Sequence, residues 1–112
     1  MASNRREDFL KEDLLLSDFA KSMGHPARIA ILKELAERNE CICGEIVELL
    51  PLAQSTVSQH LQELKKAGLV KGSVNGVKSC YCINWENFEK LSEQLKAYLD
   101  LLNQHNLNNK CC

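Results

Sequence analysis

Six cysteines stand in three close pairs along this chain of 112 residues: Cys41 with Cys43, Cys80 with Cys82, and Cys111 with Cys112. Their thiolates are soft ligands for thiophilic metals and metalloids, and two of them brought together can close a disulfide. Cysteine also serves as a small buried hydrophobe, but scattered filler is not expected to recur in pairs. A second chemically suggestive stretch is Gln54-Ser55-Thr56-Val57-Ser58-Gln59-His60-Leu61-Gln62, where hydroxyl and amide side chains crowd one segment. Such groups both donate and accept hydrogen bonds, as reading base edges in a DNA groove requires.

The chain that must position these groups is 45% hydrophobic and 26% charged, an ordinary composition for one globular domain with a modest core. Its net charge of −1 is not the footprint of a strongly basic nucleic-acid binder. If DNA is the partner, positive charge must be concentrated on one face and doubled by dimerisation. No apolar run is long enough to cross a bilayer, and the first residues lack the apolar core of a signal peptide. A cytoplasmic protein with no membrane partner is therefore expected. A reducing compartment disfavours structural disulfides, which leaves ligand or redox roles for the cysteines.

Apolar periodicity predicts a first amphipathic helix from Asp8 to Met23, with Phe9, Leu10, Leu14, Leu15, Phe19 and Met23 on its stripe. Gly24-His25-Pro26 breaks it, and Pro26 suits the first turn of a second helix running to Arg38. Ile29, Leu32, Leu35 and Ala36 form the expected stripe of that helix, broadened by Ile31. After the short connection Glu40-Cys41-Ile42, a third short helix is expected from Cys43 to Leu50, ended by Pro51. Ser55 can cap a fourth helix reaching Ala67, with Gly68 as its stop. Leu69 to Val74 and Val77 to Ile83 read as strands joined by Asn75-Gly76, a pair suited to a tight hairpin turn. A last helix from Glu86 to Gln104 carries Phe88, Leu91, Leu95, Tyr98, Leu99 and Leu102 on one side. The expected fold is mainly α with a small β-hairpin wing, a winged helix-turn-helix over residues 1–105, followed by a flexible cysteine-ending tail over 106–112.

On the fourth helix Val57, Leu61 and Leu64 fall inward. Gln54, Ser55, Thr56, Ser58, Gln59 and Gln62 are left as the DNA-binding candidates, a face where a helix chosen for solubility would more often show Glu and Lys. Lys65 and Lys66 complement the C-terminal helix dipole. Lys71 and Lys78 flank the hairpin tip, placed either to reach phosphates or to protect a strand edge. His60 follows the apolar positions closely and is expected to pack rather than read bases, and His25 is expected to be structural.

Three stretches together resemble one known family: Pro26-Ala27-Arg28-Ile29-Ala30-Ile31-Leu32, then Glu40-Cys41-Ile42-Cys43, then Gln54 through Leu61 ending in Ala67-Gly68-Leu69-Val70. In that order and spacing, over roughly residues 14 to 84, the chain is similar to the ArsR/SmtB repressors that respond to metals and metalloids, and most of all to arsenic-responsive ArsR. The resemblance implies a homodimer through the first and last helices, the helix at 55–67 in the major groove and the hairpin as a wing. It also implies double-stranded operator DNA with dyad symmetry as the partner, and a repressor released by its inducer.

Cys41-Ile42-Cys43 stands where arsenic, cadmium and lead sensors of that family carry Cys-Val-Cys ligands. The resemblance thus implies As(III) or Sb(III) as inducer, then Cd(II), Pb(II) or Zn(II), with no obligatory cofactor. Where prototype arsenic sensors place a third cysteine this chain has Ile46, so a third thiolate must come from Cys80, Cys82, Cys111 or Cys112, or be absent. The segment before the third helix of a winged helix commonly pairs with the second wing strand, which puts Cys80 and Cys82 slightly ahead. A zinc site at the last helix is disfavoured, since Trp85 and Asn87 replace the family's Asp and His, and only His105 with Asp100 and Asn106 lies at the far end. Two other readings stay open: a thiol-redox or persulfide sensor of the same fold, and a small metal buffer that needs no polar recognition helix. No phosphate loop and no nucleophile with a matched base points to an enzyme.

Overall fold

The computed structural model describes residues 6–38, 42–43, 51–75 and 78–106. A 3-10 turn (Arg6–Asp8) precedes α1 (Lys11–Met23) and α2 (Pro26–Arg38); β1 (Ile42–Cys43), α3 (Gln54–Lys66), β2 (Val70–Asn75), β3 (Lys78–Ile83) and α4 (Trp85–Asn106) follow. The three strands form one antiparallel sheet in the order β1-β3-β2. Helices backing a hairpin are the winged-helix arrangement that the pattern predicts. The short helix expected at 43–50 and the tail at 107–112 lie outside the described residues, except that Cys43 is a strand residue and not the start of a helix.

The core is built where helical stripes and strand alternation converge. Phe19 of α1, Ile31, Leu32 and Leu35 of α2, and Val57, Leu61 and Leu64 of α3 meet Leu69, Val70, Tyr81 and Ile83 of the wing. Phe88, Leu91 and Leu95 of α4 close the cluster from one side, with Phe88 set edge-on to Phe19 at 6.1 Å between ring centroids. In α2 the buried set is Ala27, Ile31, Leu32 and Leu35, so the stripe is centred on Ile31 and leaves Ile29 exposed.

Helix α1 starts three residues later than expected because Phe9 and Leu10 do not pack on the core; both stay exposed, as does Leu15. Leu10 caps the helix without a side-chain bond. At the other end of the chain, α4 is longer than expected at both ends. Asn84 caps it, its Oδ1 accepting the Asn87 N–H at 3.2 Å. Past Leu95 its stripe outruns the core: Tyr98, Leu99, Leu101 and Leu102 are exposed, although they repeat at helical spacing.

The α3 boundaries show where cap chemistry decides. Ser55 lies inside the helix, and Ala53 is the cap, with no side-chain bond. At the far end Gly68 takes φ +82° and lets two N–H groups turn back, Gly68 N to Lys65 O at 3.0 Å and Leu69 N to Leu64 O at 3.0 Å. A Cβ at Gly68 would also sit 2.5 Å from Asn87 Nδ2, which donates to the Gly68 carbonyl at 2.8 Å. Gly68→Ala is therefore expected to cost on the order of 1–3 kcal/mol of stability. An unchanged urea midpoint would show that this joint tolerates a side chain. The hairpin is shifted by one residue from expectation: Leu69 precedes β2, and Asn75 pairs with Lys78 inside the ladder instead of occupying the turn.

Candidate nucleic-acid interface and thiol site

Helix α3 is held by one face and presents the other. Val57 and Leu64 are fully buried and Leu61 nearly so, while Ser55, Ser58, Gln59 and Gln62 are exposed and Thr56 is half-buried. Gln54 is the first residue of the helix; the placement of its side chain lies outside the described residues. Lys66 pairs with Glu63 at 3.6 Å on the last turn. Lys71 is exposed on β2, and Lys78 opens β3 opposite Asn75, so both belong to the wing ladder beside α3. The hydroxyl and amide groups therefore share one exposed surface that a rigid core holds in place, as base reading needs.

Sequence reasoning missed a cluster that ties α3 to the bend between α1 and α2. Arg28 Nε donates to His60 Nδ1 at 3.1 Å, and Arg28 Nη1 donates to the Ser22 carbonyl at 3.0 Å. His25 Nδ1 accepts the Ala27 N–H at 3.0 Å and so caps α2. The His25 and His60 rings lie 4.4 Å apart. His60 thus packs, as expected of it, but its partners are 32 and more residues away in sequence, where no local pattern points to them.

The environment of His60 opposes its protonation. Burial, then the neighbouring His25, then the Arg28 guanidinium hold its pKa below the ordinary value of about 6.5. In the unfolded chain that penalty vanishes, so the unfolded state takes up the proton first as pH falls through the ordinary value. Stability from this group is complete above that pH, declines toward the lower folded-state pKa, and levels off beneath it. His60→Gln, which keeps an acceptor for Arg28, should flatten the fall in denaturation midpoint between about pH 7.5 and about pH 5.5. Equal slopes in both proteins would assign the pH dependence to other groups.

Two cysteines are register partners across the sheet; the side chain of Cys43 lies outside the described residues. β1 pairs with β3 through Ile42 opposite Tyr81 and Cys43 opposite Cys80. On β3, Tyr81 and Ile83 point into the core while Cys80 and Cys82 stay half-buried, the period-2 division expected of this strand. The ring of Tyr81 lies over Gly72, where a Cβ would come within 2.5 Å of it, so the wing seats closely on its own hairpin partner. Cys80 is disulfide-bonded. Cys41, Cys111 and Cys112 lie outside the described residues. Among the described residues no three His, Cys, Asp or Glu side chains converge as a metal site.

The sequence pattern of the family described as "Bacterial regulatory protein, arsR family" matches residues 25–71, from the N-terminus of α2 to Lys71 on the wing. A helix-turn-helix-type transcriptional regulator of Methanocaldococcus jannaschii is 43% identical over 89 residues, covering 79% of this chain and 91% of its own length. The arsenical resistance operon repressor of Bacillus subtilis is 34% identical over 77 residues, covering 67% of this chain and 72% of its own. Among solved structures, HlyU from Vibrio cholerae matches at a TM-score of 0.61 and 29% identity, over 88% of this chain and 97% of that one.

Proposed function

The chain belongs to the arsR family of bacterial regulatory proteins, and from that premise we propose that it is a homodimeric transcriptional repressor held on operator DNA by α3 and the β2–β3 wing. The observation that carries this reading is the division of α3. Its buried face is locked by Val57, Leu61 and Leu64, and its exposed face offers Ser55, Ser58, Gln59 and Gln62 as donors and acceptors. The chain is thus a regulator and not an enzyme. No helix among the described residues is long and apolar enough to cross a membrane, and a protein that works on operator DNA works in the cytoplasm.

Cys43, two residues after Cys41, sits opposite Cys80 on the wing strand, so the missing third thiolate has a source one strand away. Thiolates from these residues suit As(III) or Sb(III), and after them Cd(II), Pb(II) or Zn(II). Cys82, Cys111 and Cys112 are the other candidates for the third position. The B. subtilis relative, a repressor of an arsenical resistance operon, supports the metalloid choice. β1 follows α2 and β3 belongs to the wing, so an ion bridging them acts on two parts of the DNA-binding unit at once. Coupling of this kind is typically worth about 1–3 kcal/mol, and it is reciprocal: operator DNA weakens inducer binding by the same factor.

Dimerisation fits the surface. The exposed apolar residues Phe9 and Leu10 lie just before α1, Leu15 lies on it, and Tyr98, Leu99, Leu101 and Leu102 lie on α4, which packs against α1. A second copy covering these residues would bury them and set two copies of α3 for two half-sites of an operator with dyad symmetry. Fluorescence anisotropy of the reduced protein on its own upstream DNA, with arsenite titrated in, tests both halves. A protein with no affinity for that DNA would refute the repressor reading.

A further inference from the structure

We propose that Cys43 on β1 and Cys80 on β3 form a reversible thiol–disulfide couple whose oxidation makes the sensing site insensitive to thiophilic ions. The proposal rests on the assignment of that site to these cysteines and adds a redox gate to it. Three observations support it. Cys80 is disulfide-bonded. Strand β3 has a neighbour on each side, and the residues opposite Cys80 are Ser73 on β2 and Cys43 on β1, so among the described residues of the sheet it is β1 that brings a cysteine to that position. Directly opposed residues of an antiparallel pair lie about 4.5–5.5 Å apart at Cα, inside the span of about 4.4–6.8 Å that a disulfide bridges.

The chemistry balances with a hydroperoxide as oxidant. One thiolate attacks the peroxide, the O–O bond breaks, and a sulfenic acid forms as the other oxygen leaves as hydroxide and is protonated to water. The second thiolate then displaces hydroxide from the sulfenic sulfur, forming the S–S bond and a second water. Two thiols lose two electrons and two protons, and hydrogen peroxide becomes two waters. A dithiol reductant reverses the step by exchange. Cys80 is half-buried on the face of β3 away from the core, within reach of small reagents.

The consequence follows from the ligand chemistry. As(III) and Cd(II) need thiolates, and a disulfide withdraws two of them together. The same bond leaves the β1–β3 pairing intact and keeps Tyr81 and Ile83 in the core, so the wing keeps the arrangement that accompanies α3. The oxidised protein therefore stays on its operator and no longer answers the inducer.

The full-length protein, reduced and then treated with hydrogen peroxide, should be mapped by differential alkylation and peptide mass spectrometry, with operator binding followed in parallel. The expected result is an intramolecular Cys43–Cys80 bond, unchanged operator affinity, and loss of the roughly 5- to 150-fold weakening that arsenite produces in the reduced form. Dithiothreitol should restore it. Cys43→Ser should show no bond at Cys80 after the same treatment. A bond from Cys80 to Cys41, Cys82, Cys111 or Cys112 would overturn the proposal, as would an oxidised protein that arsenite releases like the reduced one. A reduced protein that ignores arsenite would sink the metalloid reading instead, while the disulfide map would still decide the couple.

Discussion

Replacing Leu99 and Leu102 by glutamate should leave a folded monomer whose operator affinity is lower by about 10²- to 10⁴-fold, the avidity lost when one of two linked half-sites can no longer be engaged. Both side chains are half exposed on α4, beyond Leu95, where the helix leaves the core. The substitutions should therefore spare the fold while placing like charges in the face that a second copy would cover. Sedimentation and circular dichroism report the two effects separately. A variant that remains dimeric, or a monomer that binds its operator as tightly as the parent, would show that α4 is not the contact that pairs the two recognition helices.

Cys43→Ser and Cys80→Ser should each abolish release by arsenite while leaving operator affinity unchanged. Neither residue lies on α3, and Cys80 is only half-buried, so loss of sulfur should not disturb the proposed DNA-reading face. A hydroxyl is a poor donor to As(III), and a site deprived of one thiolate loses the differential binding that drives release. The expected change is the disappearance of a shift of about 5- to 150-fold in operator affinity. Normal induction of the Cys80 variant would move the third ligand to Cys82, Cys111 or Cys112, and normal induction of both variants would remove the sheet from the sensing site altogether.

Much of this architecture is legible in the chain because local signals agree with the tertiary outcome. Pro26 and Arg38 bound α2 in sequence and in structure, and Val57, Leu61 and Leu64 mark the buried side of α3 by spacing alone. Gly68 marks the end of α3 because only a residue free to adopt φ +82° serves that turn. The misplaced features are those that depend on distant partners. Phe9, Leu10 and Leu15 extend an apolar pattern that this chain does not itself cover, so α1 begins later than periodicity predicts. A helix starting at Cys43 suits the local sequence, but the pairing of Ile42 with Tyr81 and of Cys43 with Cys80 places Cys43 in a strand. Ser55 has the chemistry of a cap yet sits one residue inside the helix. The Arg28–His60–His25 cluster brings together three elements across a bend, and nothing in the neighbourhood of any one of them announces it.

The two halves of the site differ in the same way. The proposed DNA-reading face is a property of one helix and can be read from its residues. The proposed thiol site is a property of strand register: Cys41-Ile42-Cys43 and Cys80-Tyr81-Cys82 are visible as pairs, but that Cys43 and Cys80 are register partners is decided by the β1–β3 ladder.

Fluorescence anisotropy of the reduced protein on its upstream DNA, during an arsenite titration, reads operator binding and thiolate chemistry in one molecule. Tight binding is expected without arsenite and a rightward shift of about 5- to 150-fold with it, reversed by a competing dithiol. Tight binding that arsenite, antimonite, cadmium, lead and zinc all leave unchanged would contradict a coupling of operator binding to thiolate chemistry.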